Sequence, residues 1–273
     1  MSKVKQGGDE RATKTVHTHG LGASAEANAV SPMKWNWNNL PTSGLFELPP
    51  AAAHHAHRVL RLRVGDAIQI FDGEGHACNA AINTISGKRV DINITQVLPA
   101  QTLSSLHIVL AQAMSSSEKM DWVVQKATEL GATEVQPVQT QRSVAKLSSE
   151  RAEKRTEHWR GVVISACEQS GRNDLMQVYA PVEFSHWLAN VRNMPGSKFI
   201  LLPDGAVALH AQGKPQDIVT LLIGPEGGFT PDEAMMAKQA GFIPVLLGPR
   251  VLRTETAALA GISALQTLWG DFL

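Results

Sequence analysis

LLIGPEGGFTPDE, residues 221–233, decides how the chain has to be read. An apolar run of β-forming residues breaks at a proline and three glycines. Thr230, Pro231, Asp232 and Glu233 then follow in the order of a helix start, with Thr as N-cap, Pro at the first helical position and Glu three residues after the cap. Strand, loop and helix in that order make part of a βα unit. The loop is no phosphate cradle, because GPEGGFT matches neither G-x-x-x-x-G-K-[ST] nor G-x-G-x-x-G. The helix's free N–H groups already have Thr230 and Glu233 to serve them, and Glu226 would repel an anion. The stretch suits a neutral or cationic ligand.

LLGPRVLRTETAALAGISAL, 246–265, is built the same way. It leaves a strand through Gly-Pro and enters a helix whose Ala257, Ala258, Ala260, Gly261 and Ala264 let another backbone approach closely. LLPDG at 201–205 is a third such exit. Loops at the carboxyl ends of neighbouring parallel strands share one crevice, so the three are expected to converge on a single pocket.

Strand and helix alternate on either side of these loops. LHIVLAQAM (106–114) reads as a strand, Ser115 to Glu118 as a capping box, and the next helix puts Met120, Val123, Val124, Ala127 and Leu130 on one face. EVQPV, a helix from about 148 to 171, strands at 198–202, 217–223 and 244–248, and helices at 231–240 and 254–269 complete the pattern. It predicts an α/β fold, a parallel sheet with helices on both faces. Upstream, AIQIF (67–71), ACNAAI (77–82) and RVDINI (89–94) are short strands between turn formers, a small β-barrel with one helix at 49–62. The expected organisation is an extension at 1–32, polar and without periodicity, a barrel at 33–99 and the α/β domain at 100–273.

Composition narrows the function classes. No apolar run approaches the roughly 18 residues that span a bilayer, and the first residues lack the apolar core of a signal peptide, so a cytoplasmic protein with no membrane partner is expected. Lys plus Arg and Asp plus Glu both count 25, which puts any nucleic-acid contact in a local site. Cys78 and Cys167 fit no metal or redox spacing, and Cys167 reads as a small buried apolar residue. His54, His55 and His57 have no Cys or carboxylate nearby to complete a ligand set, so no metal is expected.

IGPEGGFTPDE together with LGPRVLRTETAALAGISALQ closely resembles the RsmE family of 16S ribosomal RNA (uracil-N3) methyltransferases, of the SPOUT class. The similarity continues through EKMDWVVQKATELGATEVQPVQTQRSV (118–144), ACEQSGR (166–172), AAAHHAHRVLRLRVGD (51–66) and IFDGEG (70–75), and covers roughly 45–273. The resemblance implies a PUA-like RNA-binding β-barrel followed by a methyltransferase domain whose C-terminal part is tied in a trefoil knot. It also implies a homodimer that uses S-adenosyl-L-methionine (SAM) and methylates N3 of one uridine in the decoding region of 16S rRNA, in the small ribosomal subunit.

By the same resemblance the cofactor lies among Leu202, Pro203, Gly224, Pro225, Glu226, Gly227 and Gly228. Leu247, Gly248, Leu252, Arg253, Thr254, Thr256 and Ala257 complete its surroundings. Methylation at N3 requires loss of the N3 proton, hence a base or a cation that stabilises the anion. Arg253 is the expected cation, and Glu226 the expected proton acceptor or contact to the sulfonium. Arg58 and Arg61, read as sharing a helix face, are expected to contact RNA, as are Lys119, Arg142 and Arg172 at basic positions of the family's motifs. One departure is the start: the family's Met-Pro-Arg-Phe type of first strand is replaced by MKWNWNNLPTSG (33–44), where its arginine has no counterpart. Trp35 and Trp37 alternate as in a strand and are expected to pack. Of two rival readings, a nucleotide-dependent oxidoreductase is disfavoured because AQAMSSSEKM (111–120) contains no glycine. A PUA-like module without catalysis would share the barrel but would not bind SAM.

Overall fold

The computed structural model describes residues 34–36, 40–101, 104–143, 149–202, 207–216 and 218–272. The extension at 1–32, Trp37 and Pro203 lie outside the described residues, as does the side chain of Trp35.

The first sheet is built from β1 (Lys34–Asn36), β2 (Gly44–Glu47), β3 (Ala67–Phe71), β4 (Ala77–Ser86) and β5 (Arg89–Val97), in the order β1-β3-β4-β5-β2. Its pairs are antiparallel except β1 with β3. Period-2 alternation turns Ile68, Ile70, Cys78, Ala80, Ile82, Val90, Ile92 and Ile94 to one buried face. Ala52, Ala53 and Ala56 cover it from α1 (Pro50–His54), which runs on as a π turn over His55–Val59. The helix expected over 49–62 therefore stops early. The N–H of Leu60 bonds to His55 O and that of Leu62 to Ala56 O, and the widened turn carries Leu62 back into the core. Arg61, at φ 55°, takes the left-handed conformation that this reversal requires. Arg58 and Arg61 are both exposed but share no helix face.

The second sheet begins with β6 (His107–Ala113), α2 (Ser117–Glu129), β7 (Glu134–Gln139), α3 (Ser149–Ser170), β8 (Gln177–Val178), β9 (Val182–Glu183) and α4 (Phe184–Val191). It ends with β10 (Ser197–Leu201), β11 (Val207–Ala208), β12 (Ile218–Ile223), α5 (Pro231–Gln239), β13 (Ile243–Leu246) and α6 (Thr254–Trp269). The strand order is β11-β13-β10-β12-β6-β7-β8, with β9 also on β7, and every pairing is parallel. Both faces are covered, as the apolar strands require. One face packs under α2, α3 and α6 through Met120, Val123, Trp159, Val163, Ala258 and Ile262. The other packs under α4 and α5 through Phe184, Trp187, Leu188 and Ala237. Gly261 gives α6 its close seat, because a Cβ there would lie 2.5 Å from Leu221 Cδ2 on β12.

The two sheets are joined through a turn. Asp72 Oδ1 accepts from the N–H groups of Glu74 (2.7 Å) and His76 (3.1 Å) and fixes the DGEG stretch. That turn bonds to the segment after α3: Leu175 N donates to Gly73 O at 2.9 Å and Gly75 N to Asn173 O at 3.2 Å. Phe71 and Ala77 belong to the core of the second sheet. The stretch IFDGEG thus meets, at the junction, the residues that directly follow ACEQSGR.

Candidate active site

β13, β10, β12 and β6 are neighbours, so the loops at their carboxyl ends lie side by side. They enclose a cleft of about 810 Å³ walled by Leu201 and Leu202 after β10, by 224–231 after β12, by 251–254 before α6, and by Ala257 and Lys119. A smaller cavity of about 110 Å³ adjoins it through Leu201, Leu202, Val251, Leu252 and Ala257, and is closed by Leu247 and Gly248. The glycine and arginine stretches expected to converge do so, joined by Leu201 and Leu202, the described residues of LLPDG.

One hydroxyl ties two of the loops together. Thr254 Oγ1, buried at the start of α6, donates to Gly224 O at 2.5 Å and accepts from Gln112 Nε2 on β6 at 2.9 Å. Gln112 is fully buried, and its Nε2 also donates to Ala113 O. A polar residue inside an otherwise continuous apolar strand is the sequence signal for such a partner. The far side of the glycine loop is held by the turn after β7: Arg142 Nη1 donates to Gly227 O at 2.7 Å, and Gln141 N donates to Glu233 Oε1 at 2.8 Å. The capping box read from the sequence is present, with Thr230 Oγ1 accepting from Glu233 N and Glu233 Oε2 from Thr230 N. The positive end of α5 is therefore filled by protein oxygens.

Charge is concentrated around one carboxylate. Glu226 Oε1 accepts from Ser115 Oγ at 2.5 Å and from Lys119 Nζ at 3.0 Å. Lys119 Nζ also lies 3.4 Å from Glu255 Oε2, a buried oxygen without a hydrogen bond among the described residues. Burial works to raise the Glu226 pKa, but the hydrogen bonds from Ser115, from its own backbone and from Lys119 outweigh burial and hold it below the usual carboxylate value. The hydrogen bond to Glu226 in turn raises the Lys119 pKa. Both stay charged at neutral pH. The capping box expected from Ser115 to Glu118 is not formed: α2 starts after Ser116, which makes no side-chain cap, and the Ser115 hydroxyl is spent on Glu226.

The other expected residues divide clearly. Arg253 is exposed on the cleft wall and makes no ion pair among the described residues, while Thr256 lies outside both cavities. Lys119 and Arg142 are turned inward, onto carboxylates and a loop carbonyl. Arg172 is largely buried, and its guanidinium is consumed by the fold: Nε and Nη2 bind Asp174 at 2.9 and 2.5 Å, and Nη1 binds Thr128 O and Ala132 O at 2.9 and 2.7 Å. Four of its five N–H groups are thus used within the fold, which gives Arg172 a structural role beside the RNA contact expected of it. Cys78 and Cys167 are both buried and not joined in a disulfide, and burial pushes the Cys78 thiol up to about 11. Among the described residues there is no metal-binding group of His, Cys, Asp and Glu, and no helix is long and apolar enough to cross a membrane. Gln112 and Glu255 were not singled out by sequence reading, and Ser115 was read only as a helix cap.

Comparison with known proteins bears on the fold and the family. Residues 102–266 match the profile of an RNA methyltransferase domain, and residues 48–95 that of an RNA methyltransferase PUA domain. The ribosomal RNA small subunit methyltransferase E of Buchnera aphidicola subsp. Acyrthosiphon pisum is 32% identical over 92% of this chain and 98% of its own length. The protein of the same name from Synechocystis sp. is 34% identical over 80% of this chain and 72% of its own. Among solved structures, the ribosomal RNA small subunit methyltransferase E of Neisseria gonorrhoeae bound to S-adenosyl methionine superposes with a TM-score of 0.82 at 39% identity, covering 89% of this chain and 99% of that one. On fold, on the order of its two domains and on sequence over nearly its whole length, the chain belongs to the ribosomal RNA small subunit methyltransferase E family.

Proposed function

We propose that this chain uses SAM to methylate N3 of one uridine in the decoding region of 16S ribosomal RNA. The observation that carries the reading is the chemistry of the cleft: glycine backbone, apolar walls and the carboxylate of Glu226, with the anion-attracting end of α5 already capped. That donor set fits SAM, since a sulfonium cation needs a counter-charge such as Glu226. When bound, SAM supplies an electrophilic methyl group on its positive sulfur.

The residues of the chain then have separate tasks. Gly224 to Gly228, Leu202, Leu247, Gly248 and Leu252 hold the cofactor, and Thr254 keeps the two loops at fixed spacing. Glu226, ionised and already accepting two hydrogen bonds, acts as counter-charge; a carboxylate stabilised in its charged form is a weak proton acceptor. Arg253, exposed on the wall, stabilises the negative charge that develops on the base. The N3 proton leaves to water. Exposed Arg58 and Arg61 on the barrel contact RNA phosphates, which set position without reading sequence. The enzyme acts as a homodimer with its C-terminal segment threaded in a trefoil; a solution mass of twice the chain supports the first part, and a mass of one chain in the active protein removes it.

The deciding experiment incubates the purified protein and SAM with small ribosomal subunits from cells lacking the corresponding gene. Mass spectrometry is expected to find one new methyl group, on N3 of a single uridine of 16S RNA. A product on another atom or on another RNA defeats the reading.

A further inference from the structure

Loss of the N3 proton leaves the negative charge of uracil spread over N3 and its two flanking carbonyl oxygens, O2 and O4. A single cation on one wall of a cleft serves one side of that anion. Arg253 occupies the wall before α6, and Lys119 reaches the same cleft from α2, a different element. An ammonium has three N–H groups. One is given to Glu226 Oε1 at 3.0 Å and a second faces Glu255 Oε2 at 3.4 Å, which leaves a third for the cleft. Tethered from two sides, the ammonium is also spared the rotamer freedom that a long lysine loses on binding a ligand.

We propose that Lys119 is a catalytic and specificity-determining cation, which donates to one carbonyl of the target uracil while Arg253 serves the other, with Glu226 and Glu255 as its positioning residues. The proposal rests on the methyl-transfer reading above. Lys119 and Arg253 carry two positive charges and Glu226 and Glu255 two negative ones, so these four groups sum to zero. The sulfonium and the uracil anion also sum to zero, so the filled site stays balanced. In the step itself the N3 proton goes to water, the N3 electron pair forms the bond to the methyl carbon, and the carbon–sulfur bond breaks with its pair left on sulfur. Cytosine is rejected by the same pair of cations: it has no N3 proton to lose, and its amino group would set a donor against a donor.

Single-turnover methylation of small subunits lacking the methyl group tests this. Lys119→Met is expected to slow transfer about 100-fold, the loss typical of one preorganised donor to a developing anion, and Lys119→Arg to restore most of it. In Lys119→Met the rate keeps rising at alkaline pH where the wild type has levelled, because ionised N3 is less stabilised. RNA carrying 5-fluorouridine, whose N3–H is more acidic, recovers part of the loss. Without SAM, the wild type binds that RNA more tightly as pH passes the ionisation of the base, and Lys119→Met shows no such gain. Lys119→Met/Glu255→Gln, which removes the surplus carboxylate, behaves as Lys119→Met does. Calorimetry is expected to find SAM affinity within about threefold of wild type, given that a spare donor to the base is what has been removed. An unchanged pH profile, or a loss explained by weaker SAM binding, overturns the role of Lys119 alone. A wild type that methylates neither RNA overturns the underlying reading as well.

Discussion

Arg172→Met separates two roles that one arginine in a family stretch can have. If the residue serves the fold, the cost follows from its contacts. Its side chain and that of Asp174 are 12% and 15% exposed, and the guanidinium carries two bonds to the carboxylate and two to the carbonyls of Thr128 and Ala132. At the end of α2, Thr128 O already accepts from Gly131 N at 3.1 Å, and the guanidinium is its second donor. Removing one member of a mostly buried pair strands the other charge, which costs about 3–5 kcal/mol. The two carbonyls can be rehydrated at this edge and add about 1 kcal/mol or less each. A loss of about 4 kcal/mol is a large part of the 5–15 kcal/mol typical of a folded domain. Urea unfolding is expected to shift to a lower midpoint, and Arg172→Met/Asp174→Asn to lose less than the single arginine variant, because no charge is then stranded. The segment also bonds to the DGEG turn, so docking of the barrel should loosen. A variant within about 0.5 kcal/mol of wild type whose RNA affinity has a salt slope shallower by about one would refute the reasoning and favour the phosphate contact.

Three further outcomes follow from the site and its surroundings. Thr254→Val keeps the shape but removes the hydroxyl that joins Gly224 O to Gln112, and is expected to weaken SAM binding about tenfold by calorimetry, about 1.4 kcal/mol, whereas Thr254→Ser stays near wild type. Gly228 has φ +67° with open space where a Cβ would stand, so Gly228→Ala should cost about 1 kcal/mol through backbone strain and Gly228→Asn less; SAM titrations that rank Ala above Asn would contradict this. Glu168, half-buried on α3, is raised by burial to about 7. Folding therefore favours its protonated form. The stability this contributes is full below the ordinary carboxylate value near 4.5 and is lost as pH rises through 7, so Glu168→Gln should raise Tm at pH 8 and leave it unchanged near pH 4.

Much of the second domain was readable because its elements are long and periodic. α6 falls on the expected residues 254–269, and β12, Ile218–Ile223, follows its expected span over the described residues. α4 was not anticipated: FSHWLANV is short, and its N-cap is Glu183, which accepts from His186 N in place of the usual Ser, Thr, Asp or Asn. β8, β9 and β11 have two residues each, too few to show a period. The helix at 49–62 misled because helical spacing says nothing of where Leu62 must end. In the site, backbone-rich loops could be recognised from glycine and proline, but the partner of each polar side chain could not. Ser115 looked like a local cap, since its competing partner lies 111 residues downstream.

The two helices that follow the glycine and arginine loops have opposite electrical endings, and this gives the cleft a direction. α5 is closed by Thr230 and Glu233, and the carboxylate of Glu226 stands before it. α6 begins at Arg253 with no side-chain cap, so its first amides and its partial positive charge add to the guanidinium. A positive group is favoured on the first side and a developing anion on the second. Methyl transfer moves charge in that sense, with the donor starting cationic and the acceptor anionic, and both ending neutral. Arg253→Ser, which caps α6, should therefore impair the acceptor side twice, through the lost cation and the filled helix end, and SAM affinity much less. Equal losses in SAM affinity and in transfer would mean that the cleft lacks this polarity.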